Sequence, residues 1–95
     1  MPKINLDQAL KNRDEKEFKE GGSPVELGST LLFALEHKSE GQSLKESMEC
    51  YKLRKALFGG GEVELASEDI TLLKNKCHIA LAQPAFFAVV DLLEG

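Results

Sequence analysis

Few side chains in this sequence could hold a metal or attack a substrate: Cys50, Cys77, His37 and His78. A structural zinc site needs four thiolates or imidazoles converging on one point, so these four are its bare minimum. Cys77 and His78 are neighbours, and neighbouring side chains on a helix project about 100° apart. Cys77 then falls on an apolar stripe and His78 on a polar one. The expectation is two reduced, core-facing thiols and two surface histidines, with no metal and no other cofactor; a disulfide between the cysteines is the minor alternative. A cysteine nucleophile would need a histidine partner and an oxyanion hole. Nothing in the sequence marks either, so no catalytic residue is assigned and a non-enzymatic protein is expected.

Gly59, Gly60 and Gly61 raise the question of a phosphate loop. Such a loop ends in Gly-Lys-Ser/Thr and leads into a helix. Here the glycines follow a predicted helix and precede acidic Glu62 and Glu64, so they read as a helix stop. Glu62, Glu64, Glu68 and Asp69 lack the ligand spacing of a calcium loop and read as solvated charges. Lys52, Arg54 and Lys55 form a basic island beside Tyr51 and Phe58, with Glu46 and Glu49 close by. The island is either a solvated face whose stems cover apolar surface or a contact for an acidic protein partner.

The elements that must position these residues follow from periodicity. Residues 3–6 alternate polar and apolar, as a short strand does. A charge run covers 12–20, with Phe18 its only apolar residue. Residues 1–24 read either as a hairpin, returning near 17–19, or as containing a short helix over 6–11. A first helix is expected over 29–37, capped by Ser29 or Gly28 and apolar nearly all round. A second is expected over 43–58. Leu44, Met48, Tyr51 and Phe58 form one stripe on it, Cys50, Leu53 and Leu57 an adjacent one. Lys45, Glu49 and Lys52 mark its solvent side. This breadth of apolar surface suggests the central helix of the fold. Residues 62–65 alternate again, Val63 and Leu65 facing one way. Ser67 is expected to cap a third helix with Ile70, Leu73, Cys77, Ala80 and Leu81 inward and Thr71, Lys74, Asn75 and His78 outward. Pro84 suits the first turn of a fourth helix. There Phe86, Val89, Val90 and Leu93 face the core, while Phe87 falls toward the wet side, either tucked against the first helix or the N-terminal segment or free as a candidate partner anchor. Residues 25–29 and 63–67 echo each other as Val-Glu-Leu-small-Ser. Either a duplicated unit or a device used twice, an extended entry followed by a serine cap, produces such an echo; the five-residue match favours the device, and the two stretches could also pair.

Together these features predict one domain, 1–95, with a charged extended segment (1–24) and a helical core (25–95). The fold class expected is mainly α: a compact bundle of about four helices with a small N-terminal β element, α+β being the neighbouring class. The 95 residues suffice for one core without metals or disulfides. Net charge is −4 and the isoelectric point about 5.2, which argues against binding nucleic acid or an anionic membrane. No apolar run approaches a bilayer span and the start lacks the apolar core of a secretory signal, so a cytoplasmic location is expected.

The order of features resembles a group of small proteins, without assigned activity, encoded by tailed bacteriophages and prophages. The features are the charged N-terminal segment, Leu27-Gly28 before the Leu31/Leu32/Ala34/Leu35 helix, and the helix with Tyr51, Leu53 and Leu57. Glu62-Val63-Glu64-Leu65, the Glu68-Asp69-Ile70 and Leu72-Leu73-Lys74 run, Pro84 and Leu92-Leu93 complete them. The resemblance implies a bacterial host cytoplasm and transfers no catalytic residue. The expected function is binding of another protein, in host-factor modulation or virion assembly, with Phe87, Lys52, Arg54 and Lys55 as candidate contacts. The alternative is a self-associating subunit or assembly chaperone; a small enzyme or metal protein ranks below both.

Overall fold

A computed structural model describes residues 3–11, 16, 18–20, 22–38 and 40–94. Most of the charge run at 12–17 lies outside them. Within them the N-terminal segment is a strap. Strand β1 (Lys3–Asn5) pairs antiparallel with β4 (Glu62–Glu64), setting Ile4 opposite Val63. Further along, Ala9 bridges to Glu26, and the Leu10 N–H donates to the Val25 carbonyl at 2.9 Å. A tight ribbon joins β2 (Lys19–Glu20) to β3 (Ser23–Pro24). β1 therefore finds its partner near residue 63, not near 17–19, and residues 6–11 form a turn and bridges instead of a helix. The two echoed stretches do not pair with each other; each pairs with the strap.

That pairing moves the first helix. α1 spans Leu27–Glu36, starting two residues before the expected 29–37. The first N–H groups of a helix lack partners within it. Here the strap supplies them: Leu27 donates to the Gln8 carbonyl at 2.9 Å and Gly28 to the Leu6 carbonyl at 2.8 Å. No serine cap is needed, and Ser29 Oγ donates to the Glu26 carbonyl instead. A Cβ on residue 28 would stand 3.1 Å from Leu6 O and 3.2 Å from Leu6 Cβ, so glycine permits this close approach.

α2 spans Leu44–Leu57, α3 Ser67–Ala80 and α4 Gln83–Glu94. The fold is thus mainly α, four helices and a small antiparallel β element among the described residues. α3 starts at Ser67, with Ala66 at the N-cap in place of the expected serine; the Asp69 carboxylate reaches back to accept the Ala66 N–H at 3.2 Å. Pro84 lies in the first turn of α4, as expected. α1 packs against α2 on one side and α3 on the other, and α3 also carries α4. The centre therefore belongs to α1 and α3, not to the 43–58 helix. Leu6, Leu27, Leu31, Leu73, Cys77 and Val89 are sealed at this centre.

Candidate functional site

α2 is well specified locally. Ser43 caps it, its hydroxyl accepting the Glu46 N–H at 3.1 Å. Glu46 sits in the first turn and Arg54 and Lys55 in the last, where the helix dipole favours each sign. Only Cys50, Leu53 and Leu57 are buried. The stripe of Leu44, Met48, Tyr51 and Phe58, also expected to join the core, faces solvent: Leu44 is 77% and Phe58 72% exposed, and Met48 and Tyr51 are nearly half exposed. The reason is packing. α1 covers one side of α2, and among the described residues nothing covers the other.

The basic island divides around this stripe. Arg54 Nε lies 3.5 Å from Glu36 Oε2, on the flank facing α1. Lys55 lies among the exposed apolar groups, its Nζ 5.4 Å from the centroid of the Tyr51 ring. Lys52 is exposed on the other flank and borders a groove of about 280 Å³ shared with Glu49, Glu68 and Asp69. The three cations thus line a face and do not converge on one point. On the Arg54 side, Leu35, Glu36, Gln42, Cys50 and Tyr51 help line a hollow of about 410 Å³.

Both cysteines are buried free thiols. Burial pushes Cys77 up to about 12. Burial also raises Cys50, against the opposing pull of the nearby Lys76 ammonium. A thiol held protonated is a poor nucleophile and a poor metal ligand. His78 is exposed and meets Phe86 edge-on, ring centroids 5.2 Å apart. His37 is exposed too. Among the described residues, no group of three or more His, Cys, Asp or Glu is placed to hold a metal. The triple-glycine turn has positive φ at all three residues, and its Gly61 N–H donates to Asp7 Oδ1 at 3.1 Å. An internal carboxylate thus takes up that amide and ties the turn to the strap.

No known protein family matches this chain, and no curated protein or solved structure matches it either.

Two features escaped the sequence reading. Lys76 is fully buried on α3, its Nζ donating to the His37 carbonyl at 2.5 Å and to Gln42 Oε1 at 2.6 Å. Gln42 in turn donates to Ser47 Oγ at 2.8 Å. One lysine thereby ties the end of α1 and the loop before α2 to α3. Its spacing, three after Leu73 and four before Ala80, puts it on the inward arc, a signal that could have marked it. The second feature is Asp7, whose role depends on a turn far along the chain. On α4, Ala88, Val89 and Leu93 are buried, while Phe86 is half-buried between His78 and Phe87. Phe87 is 54% exposed, on the solvent side where its spacing put it. A separate apolar hollow of about 440 Å³ lies between the strap, α1 and the start of α4, with Leu10, Phe18, Val25, Phe33 and Ala85 among its lining. No helix among the described residues is long and apolar enough to cross a membrane.

Proposed function

We propose that this protein works without catalysis, by binding another protein through the outward face of α2. The observation that carries the reading is the row Leu44, Met48 and Tyr51, continued by Phe58, which leaves large apolar groups in water along one side of a helix. Single exposed apolar residues are ordinary, whereas contiguous ones mark interaction surfaces. Phe87 is a second exposed aromatic, of the type that anchors interfaces. The two thiols, buried and held protonated, offer no ready nucleophile. The resemblance to small phage-encoded proteins supplies a setting, in which the partner is a host protein or a virion component.

The test is affinity capture from a bacterial lysate with the wild-type chain and with Leu44→Ser/Tyr51→Ser, read by mass spectrometry. The expected result is a partner held in stoichiometric amount by the wild type and lost by the variant. Capture that the variant leaves intact moves the surface elsewhere, with Phe87→Ser as the next probe. No partner, together with concentration-dependent mass in light scattering, overturns the reading in favour of a self-associating subunit.

A further inference from the structure

Resting on that reading, we infer that the partner presents an acidic amphipathic helix, laid along the outward face of α2. At about 100° per residue, the outward half of α2 contains Leu44, Met48 and Tyr51. The charged residues on that half are Lys45, Lys52 and Lys55. Of the carboxylates of α2, Glu46 is half-buried toward the inward side. Glu49 is exposed on the Lys52 flank, at the edge of this face where it borders the groove shared with Glu68 and Asp69, so lysines outnumber it along the row itself. This face is cationic in a chain whose net charge is −4, so it is set apart in sign as well as polarity. A matching partner carries apolar side chains for the row and carboxylates for its lysine rim. Complementary rims of this kind choose the partner and its orientation.

The shape favours a helix. Leu44, Met48 and Tyr51 step by four and then three residues, forming the ridge that a second helix receives between its own ridges. From Leu44 to Phe58 the apolar row runs about 20 Å at 1.5 Å per residue, the length of four turns. A second copy of α2 is a poor occupant, because two-fold pairing would set the lysines of one face against those of the other.

The experiment uses a synthetic peptide of about five turns, with blocked ends, leucines on one face and glutamates on both flanks. A twin replaces every glutamate by lysine. Fluorescence anisotropy against the full chain is expected to show the glutamate peptide binding about tenfold or more tightly than its twin at low salt, an advantage that shrinks as salt rises. Lys52→Glu/Lys55→Glu should reverse that order, and Leu44→Ser/Tyr51→Ser should abolish both signals; unchanged far-ultraviolet circular dichroism confirms that the variants fold. Equal binding of the twins, or glutamate-peptide binding that ignores the α2 substitutions, overturns the inference. So does α2-dependent binding to phosphatidylserine vesicles with none to the glutamate peptide, which would make the face a lipid contact. A captured partner that depends on Leu44 and Tyr51 but docks through a neutral or basic segment overturns the acidic helix alone. Absence of any α2-dependent partner overturns the broader reading.

Discussion

α1 and α2 both carry apolar residues on two sides, yet they end in opposite states. On α1, Leu27, Gly28, Thr30, Leu31, Ala34 and Leu35 are buried, and Phe33 is its one large apolar side chain left open to water. On α2 the inner row is buried and the outer row is wet. The difference lies in their neighbours. α1 has α2, α3 and the N-terminal strap around it, whereas α2 has α1 on its inner side. Amphipathic pattern says that a face is apolar; only a neighbouring element makes it core. The unmatched face of α2 is therefore where a partner can add burial without disturbing the fold.

The sharpest test of this contrast is a matched pair of truncations. Leu31→Ala, at a sealed α1 position, should cost about 2–5 kcal/mol, and Met48→Ala on the outer row of α2 less than about 1 kcal/mol. Urea unfolding of both variants checks the pair. If Met48→Ala costs as much as Leu31→Ala, the outer row is core and the interface loses its basis. Lys76→Met comes next. It keeps the bulk of the side chain but leaves the His37 carbonyl and Gln42 short of a donor, a loss of about 1–3 kcal/mol. Hydrogen exchange should then rise first in the loop before α2, since Lys76 ties that loop to α3. Protection lost uniformly over the molecule would argue against so local a role.

A smaller effect is expected at the strap. Asp7→Ala removes the acceptor for the Gly61 N–H and should cost about 1 kcal/mol. Gly60 has φ +74, and a Cβ added there would stand 2.5 Å from Asp7 Oδ1. Gly60→Ala should therefore destabilise the wild type more than the Asp7→Ala background, while still paying for its positive φ in both. A double-mutant cycle in urea reads this coupling, and strict additivity would refute it.

The smallest effect near neutral pH concerns Cys77. Burial raises its thiol from an ordinary 9.0 to about 12, so the folded chain holds a proton that the unfolded chain releases. Its contribution to stability is complete below pH 9 and declines as pH rises from there toward about 12. Urea midpoints taken between pH 8 and 10.5 should fall with pH, and Cys77→Ala should flatten that fall. An identical slope in the variant would assign the pH dependence to other groups.

Much of this architecture was legible because it is local. The start of α2 near residue 43, the acidic first turn of α3, Pro84 in the first turn of α4 and the glycine stop after α2 are decided within a few residues, by hydrogen bonding, dipole and φ. The sequence alone therefore determined four helices, their approximate limits and the short strands around residues 4 and 63. It put Phe87 off the core stripe of α4, but the structure decided that it stays exposed instead of tucking against α1 or the strap. Only tertiary structure decided what depends on a distant neighbour. The strap, pairing with both 25–28 and 62–64, starts α1 early and removes the need for a serine cap. α3 draws Lys76 fully inside because a carbonyl and an amide oxygen from the α1–α2 connection meet its ammonium there. And α2, apolar on two sides, became a peripheral helix with an open face, because burial is a property of pairs of surfaces and a one-dimensional pattern describes one surface at a time.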